Sequence, residues 1–193
     1  NYREEEHLGL FITGSREIGN WTEKEKSVTF YTAKTYAESI FKRLGFVTDQ
    51  MQILEIENEL FSEGLSYSFN NKHLLNLGVV AKKWLKKFDL ENPVYFADFN
   101  WDNILIDHKR HKVIFDELPK FPAVRRDLAL LIDKKVKFSQ IKETAFKVER
   151  KILREVDLFD VYEGKGIPED KKSYAVSFIL RDDKATLNDK LIE

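Results

Sequence analysis

The second half of the chain carries the most regular alternation of apolar and polar positions. It predicts a strand, a helix and two further strands, in the order 126–133, 137–153, 155–164 and 173–181. A period of two indicates a strand, and a period near 3.6 indicates a helix. A turn and the start of a second helix, capped by Thr186 or Asn188, are expected within 182–193. This order predicts a ferredoxin-like β-α-β-β-α-β unit that is truncated in its last helix.

The helix predicted at 137–153 has one apolar face. Ile141, Ala145, Val148 and Ile152 recur at helical spacing, and Ser139 is expected to be the N-cap. Both helices of a ferredoxin-like unit cover the same face of its sheet. The other face is therefore expected to be open to water or to a ligand.

Alternation along the strands assigns each side chain to one of these two faces. The bulky apolar set is expected to pack on the helices, and comprises Leu128, Leu130, Ile132, Phe159, Val161, Tyr174, Val176, Phe178 and Leu180. The open face is expected to carry the other set, namely Asp127, Ala129, Leu158, Asp160, Tyr162, Ser173, Ala175, Ser177 and Ile179.

Such an open face suits unstacked nucleobases. The Tyr162 ring offers a stacking surface, which is worth roughly 1–3 kcal/mol per base, and the carboxylates and hydroxyls can bond base edges. Arg125 and Arg126, at the edge of the sheet, are expected to hold phosphates. The alternative is an ordinary polar face that contacts only water.

The first half of the chain mixes strands and helices with no βαβα rhythm. Strands are predicted within 5–15, 51–61, 65–71, 73–80 and 93–100, and helices at about 32–44, within 81–90 and from about residue 101. The first helix is expected to bury Tyr36, Ile40, Phe41 and Leu44 and to end at Gly45. This mixture predicts an α+β domain with an antiparallel sheet.

A domain boundary is predicted near residue 112. A charged turn at 107–112 is followed by an extended, proline-bearing connector at 113–122. The predicted domains are therefore 1–112 and 113–193.

Composition excludes several classes of function. The chain has 193 residues, with 32 basic and 33 acidic side chains and a net charge of −1, so any nucleic-acid contact must be local. It has no cysteine, which excludes disulfides and thiolate metal sites and fits a cytoplasmic location. No apolar run approaches the roughly 20 residues that span a bilayer. The only methionine is Met51, which suggests a piece of a longer polypeptide.

Three other patterns have simpler explanations than a site. His108 and His111 are spaced as a metal pair on a helix, but no third ligand is evident, so no metal site is predicted. Asp98 and Asp102 are more typical of a strand end and a helix start than of paired catalytic acids. The basic helix beside Trp84 is more typical of a solvated surface than of an RNA-backbone site; its lysines are Lys82, Lys83, Lys86 and Lys87.

Several motifs in consistent order resemble a known family. "FPAVRRDLALLID", "LFDVYEGKGIPEDKKSYAVSF" and "ATLND" resemble the ferredoxin-fold anticodon-binding domain of phenylalanyl-tRNA synthetase, over about 119–193. "EEHLGLFITGS", "VTFYTAKTYAESIFKRLG", "LGVV" and "NPVYFADFNWDNIL" resemble the catalytic-like domain of the bacterial-type beta subunit. Ala81-Lys82 replaces the His-Pro pair often seen after the glycine strand.

The resemblance implies the C-terminal part of a longer beta subunit, with a class II synthetase-like but non-catalytic domain before the anticodon-binding domain. The family joins phenylalanine to its tRNA with ATP and magnesium, in an (αβ)2 heterotetramer whose alpha subunit holds the active site. No catalytic residue and no cofactor are expected in this part of the chain. Contact with tRNA(Phe) is expected from Arg125, Arg126, Asp127, Ala129, Asp160, Tyr162, Ser173 and Ser177.

Two other functions stay open at this point. One is a ferredoxin-like module that serves only protein assembly and binds no RNA. The other is a single-chain synthetase of the organellar kind, in which this domain is fused to an active catalytic domain. The sequence has no glycine-rich ATP-site or phosphate-loop pattern, which argues against the single-chain synthetase.

Overall fold

The computed structural model describes residues 2–108, 115, 117–188 and 192. The chain divides into two compact units, Asn1–Ile114 and Phe115–Glu193. The predicted charged turn and the domain boundary near residue 112 lie largely outside the described residues.

The first unit is built on an antiparallel sheet of five strands in the order β1-β7-β6-β5-β4. Its elements are β1 (His7–Thr13), β2 (Ser15–Glu17), β3 (Lys26–Ser27), α1 (Phe30–Arg43), β4 (Gln52–Ile56), β5 (Phe61–Phe69), β6 (Lys72–Val80), α2 (Lys82–Lys87), β7 (Val94–Asn100) and α3 (Trp101–His108). A short 3-10 helix spans Thr48–Gln50, and β2 and β3 form a separate two-stranded ribbon.

Helix α1 forms where local signals and burial agree. The Thr29 side chain accepts a hydrogen bond from the Thr32 backbone, and the Thr32 hydroxyl is bonded in turn to the Thr29 backbone N–H. After the helix, Gly45 adopts the left-handed φ of 82°, as predicted.

The buried face of α1 agrees in part with the predicted stripe, since Phe41 is fully buried and Ile40 and Leu44 pack against the core partly buried. Its fully buried residues are Ala33, Ala37 and Phe41, whereas Tyr36 is about half exposed. The small alanines bring the helix close to the sheet, and the core there is completed by Tyr67, Leu75, Leu77, Ala97 and Phe99.

The predicted pairing of 65–71 with 73–80 is confirmed by the β5–β6 ladder. Asn70 and Asn71 connect these strands with φ values of 50° and 60°. Asparagine tolerates this region, and two such residues form the turn whose twist matches a hairpin.

In the part of the second unit that the structure describes, three antiparallel strands form a sheet in the order β8-β10-β9, and helix α4 packs on it. Its elements are β8 (Val124–Asp133), α4 (Phe138–Val148), β9 (Leu153–Tyr162) and β10 (Lys171–Leu180). Helix α4 packs with Leu153, Val156, Tyr174, Val176 and Leu180 on one face of the sheet. The described order β-α-β-β agrees with the predicted ferredoxin-like unit as far as it extends.

Two predictions for α4 are wrong. The N-cap is Lys137 rather than Ser139, and the Gln140 side chain accepts a hydrogen bond from the Lys137 backbone N–H at 2.9 Å. Val148 ends the helix with 81% of its surface exposed, and Ile152 lies beyond the helix. The helix is therefore shorter than the apolar spacing indicated.

The predicted second helix lies mostly outside the described residues, since 189–191 and 193 are not among them. Leu187 is buried and packs on the core of the second unit. The segment after β10 thus returns to the face that α4 covers.

Candidate functional site

The strand ladders of the second unit decide which side chains share a face. Across the centre of the sheet, Ala175 pairs with Ala129 in β8 and with Asp160 in β9. The flanking rows are Ser173 with Leu131 and Tyr162, and Ser177 with Asp127 and Asp157. The face opposite α4, here called the open face, therefore brings together the predicted residues Asp127, Ala129, Asp160, Tyr162, Ser173 and Ser177.

The two predicted arginines do not lie together. Arg125 pairs with Ile179 on the open face, whereas Arg126 pairs with Phe178 on the face that α4 covers. Arg126 there lines a groove beside α4 that also contains Leu128 and Ile141. The two side chains therefore point to opposite faces of the sheet, as neighbours on a strand do, and the phosphate contact predicted for both arginines stays a prediction.

A bulge in β9 changes the predicted faces of two residues. Asp160 pairs with Ala175 and Leu158 pairs with Val176, so Phe159 is an extra residue between successive pairs. Leu158, predicted on the open face, packs against the core instead. Phe159, predicted to pack on the helices, is 51% exposed, and its ring centre lies 5.1 Å from the Arg125 guanidinium.

Tyr162 is held in place by the loop that follows it. Its hydroxyl donates a hydrogen bond to the Lys165 carbonyl at 3.0 Å, while 48% of the residue stays exposed. Gly164 lies against the same ring, because a Cβ there would be 3.3 Å from the Tyr162 Cζ. An exposed ring in a fixed position is a suitable surface for stacking a planar ligand.

The open face is acidic. Arg125 Nε donates to Asp127 Oδ1 at 2.7 Å, and this hydrogen bond raises the pKa of the Arg125 guanidinium. The ladders also place other carboxylates on this face; they are Asp133, Glu155, Asp157 and Asp160. Such a surface repels phosphates but can accept hydrogen bonds from the amino and imino groups of bases.

Sequence reasoning did not include Phe159, Asp157 or Gly164 in the site. Asp157 and Phe159 were missed because of the bulge. Strict alternation without the bulge assigns the residues before Asp160 to the wrong faces of the sheet. Gly164 could have been found from its spacing, because a glycine two residues after an exposed aromatic at a strand end leaves room for the ring.

The other candidate residues have structural partners. His108 Nδ1 is 2.9 Å from the Leu44 carbonyl oxygen, and His111 lies outside the described residues. Asp98 is hydrogen-bonded to His7 at 2.7 Å, and Asp102 accepts the Glu6 backbone N–H at 3.1 Å. In the part of the chain that is described, no three His, Cys, Asp or Glu side chains are grouped to hold a metal ion.

The basic helix α2 contains Trp84, whose ring is held by a hydrogen bond and lies close to two lysines. Trp84 Nε1 donates to the Glu59 carbonyl at 2.8 Å, and the ammonium groups of Lys83 and Lys87 lie 5.6 and 4.5 Å from its ring centre.

Among the described helices, none is long and apolar enough to cross a membrane.

Comparison with known proteins gives matches over both units. A family model for the ferredoxin-fold anticodon binding domain matches residues 119–193. A model for the phenylalanyl tRNA synthetase beta chain CLM domain matches residues 1–101.

Full-length relatives match along the whole chain. The phenylalanine–tRNA ligase beta subunits of Bacteroides fragilis and Bacteroides thetaiotaomicron are each 46% identical to it over 193 residues, which is 100% of this chain and 24% of the relative. The beta subunit of Thermotoga maritima is 32% identical over 190 residues, 98% of this chain and 24% of the relative. The chain thus spans about a quarter of the length of these curated relatives.

These matches assign the second part of the chain to the ferredoxin-fold anticodon binding domain and the first part to the synthetase beta-chain CLM domain. The chain belongs to the phenylalanyl-tRNA synthetase beta-chain family. The resemblance drawn from its short motifs is confirmed, as are the antiparallel α+β class and the ferredoxin-fold domain.

Proposed function

We propose that this chain is the C-terminal part of a phenylalanine–tRNA ligase beta subunit and that its second unit binds the anticodon region of tRNA(Phe) through the open face. The observation that carries the proposal is the Tyr162 ring, half exposed and fixed by the Lys165 carbonyl at 3.0 Å. Asp160 and Ser173 flank the ring and supply an acceptor and a hydroxyl for the edge of a stacked base.

The acidic character of this face refines the proposed contact with tRNA. Bases, rather than phosphates, are the groups that it binds. Asp127 and Ala129 are proposed to contact them, whereas Ser177, predicted to do so as well, is only 4% exposed. Arg125 is proposed to act on the open face. Arg126 lies on the other face, and its predicted contact with tRNA is proposed to be made there, at the edge of β8.

The first unit is proposed to be the class II synthetase-like, non-catalytic domain, which docks on the alpha subunit in an (αβ)2 heterotetramer. We propose that the face of its sheet opposite α1 does not bind ATP. Phe11 stacks there on Phe96 at 4.1 Å between ring centres, and none of the five strands, all of them described, contains an arginine to bind a triphosphate. ATP and magnesium are proposed to act in the whole enzyme, in the cytoplasm.

The boundaries of the second domain are also a proposal. We assign residues 113–193 to a ferredoxin-fold domain that the natural polypeptide continues. In support, α4 leaves a groove of about 790 Å³ open beside β8, and Leu128 in that groove is 51% exposed although it points to the core side of the sheet. A module for protein assembly alone is not favoured, since the matching family is described by anticodon binding.

The test is Tyr162→Ala in the assembled ligase, compared with the unchanged enzyme on tRNA(Phe) of native and altered anticodon. Loss of a stacking surface should weaken binding of the native anticodon by roughly 1–3 kcal/mol. Tyr162→Phe keeps the ring and should retain most of the binding. If Tyr162→Ala changes neither affinity nor anticodon discrimination, the open face contacts only water and the proposal is wrong.

A further inference from the structure

The pair formed by Phe159 and Arg125 is a second exposed planar surface on the open face. The Phe159 ring centre lies 5.1 Å from the guanidinium carbon, and the ring is half exposed. The guanidinium also donates a hydrogen bond from Nε to the Asp127 carboxylate at 2.7 Å. Aromatic rings and arginine planes are the two side-chain surfaces on which single-stranded bases stack.

Core packing does not account for the position of Phe159. The neighbouring Leu158 and Val156 point to the core, where they pack with Val176. In a strand without a bulge, Phe159 and Asp160 would point to opposite faces of the sheet. The bulge instead adds Phe159 to the same side as Asp160, so the strand presents an aromatic ring to solvent next to a carboxylate.

The surroundings of the pair indicate a nucleobase rather than a phosphate or an apolar peptide. Ser177 lies on the central strand of the open face and is only 4% exposed, so the surrounding side chains already cover it. Asp127 and Asp157 flank Ser177 on the two adjacent strands. These carboxylates are acceptors for base amino groups, and their charge disfavours both phosphate and a purely hydrophobic partner.

We propose that Phe159, with Arg125 and Asp157, forms a second nucleobase-binding position, which holds a base next to the one stacked on Tyr162. The proposal rests on the proposed function and extends it from one base position to two. The rings of Phe159 and Tyr162 both come from β9. The two residues are three positions apart, and Phe159 is itself the bulge residue. At a rise of about 3.3 Å per residue, this separates them by roughly 7–10 Å, which suits two adjacent, splayed bases rather than one base touching both rings.

The experiment uses the whole beta subunit assembled with its alpha subunit, and anticodon stem-loop RNAs that each lack one base of the loop. Phe159→Leu keeps the apolar volume and removes the ring face. It should weaken binding of the complete stem-loop by roughly 5- to 150-fold, the range that stacking of one base corresponds to. An RNA that lacks the base stacked on Phe159 should bind equally well to the unchanged enzyme and to Phe159→Leu. An RNA that lacks a different base should bind equally well to the unchanged enzyme and to Tyr162→Ala.

Two controls separate base binding from effects on the fold. Phe159→Tyr keeps a ring and should restore most of the affinity. Val161→Ala lies on the opposite face of the same strand at a similar exposure of 48%, and should leave the pattern of abasic RNAs unchanged. Melting temperatures of all variants are measured on the same samples, and Phe159→Leu should melt close to the unchanged enzyme.

The outcomes distinguish this inference from the proposed function. If Tyr162→Ala weakens binding and Phe159→Leu does not, the second position is wrong and the proposed function stands. If Phe159→Leu weakens every RNA equally and lowers the melting temperature, Phe159 has a structural role and the second position is also wrong. If neither variant changes RNA binding, both proposals fail together.

Discussion

Gly164 lies in contact with the aromatic ring of Tyr162. A Cβ atom built on this glycine would come within 3.1 Å of the Tyr162 hydroxyl oxygen and 3.3 Å of Cζ. The hydroxyl is at the same time hydrogen-bonded to the carbonyl of Lys165, the next residue. The loop after β9 therefore sets the orientation of the ring that is proposed to stack on a base.

We predict that Gly164→Ala weakens binding of the anticodon by the assembled ligase without unfolding the domain. The added methyl group would lie 3.1 Å from the hydroxyl oxygen and 3.3 Å from Cζ, so the ring must shift by a few tenths of an ångström. The expected loss is a fraction of the roughly 1–3 kcal/mol that stacking provides. Affinity for native and altered anticodons, measured with Tyr162→Phe and the double variant, checks this. Removing the hydroxyl relieves the closest contact, so the two changes should not be additive.

Gly166→Ala is the matched control in the same loop. Gly166 has a φ of 92° and no atom within 4 Å of a built Cβ, so alanine strains the backbone there but touches nothing. It should cost about 1–2 kcal/mol of stability and leave anticodon discrimination intact. Equal effects of the two alanines on discrimination would mean that loop rigidity, rather than ring position, is what matters.

The ladders also explain how far the sequence could predict this site. Alternation placed Asp127, Ala129, Asp160, Tyr162, Ser173 and Ser177 on one face, and the ladders agree. It failed at Leu158 and Phe159, because one inserted residue reverses the parity of the strand and no local pattern marks a bulge. The separation of Arg125 from Arg126 was available from alternation alone, since adjacent strand residues point in opposite directions.

The fold of the first unit shows the same limit. The Asn70–Asn71 turn could be located because asparagine tolerates positive φ. In α1 the burial of Phe41 was predicted, but the burial of Ala33 and Ala37 was not, because neither residue stands out in the apolar pattern as Tyr36 does. Close packing of helix on sheet, which only the tertiary structure reveals, favours small residues at those positions.

A second prediction concerns pH and the pairing of β1 with β7. The hydrogen bond from His7 to Asp98, 2.7 Å long, raises the pKa of His7 above its usual 6.5, and burial opposes this only in part. The charged imidazolium therefore stabilises the fold fully below about pH 6.5, and this contribution is lost as the pH rises through the raised pKa. Since both side chains are partly exposed, it should stay below about 1 kcal/mol.

Asp98→Asn tests this pairing. The variant should be less stable than the natural sequence at about pH 5.5, and the difference should shrink by about pH 8.5. An NMR titration of the His7 ring should show its pKa fall toward 6.5 in the variant. A stability difference that is equal at both pH values would contradict the assignment.

The last prediction concerns the outer edge of β8. This strand pairs with β10 on one side, and no strand in the described part of the chain pairs with its other side. Beside it, the groove next to α4 exposes Leu128, and Val148 at the end of α4 is 81% exposed. An unpaired edge next to exposed apolar side chains is an unfavourable end to a sheet, which natural proteins cover. We therefore expect a further segment of the natural polypeptide to fill the groove and pair with β8, as the predicted second helix and fourth strand would.

Backbone amides of β8 that point away from β10 should exchange rapidly with deuterium in the chain of 193 residues and slowly in the whole subunit. Amides of β8 that point toward β10 serve as the control and should be protected in both. Equal exchange at the outward positions in the two proteins would mean that the edge is open in the whole subunit as well.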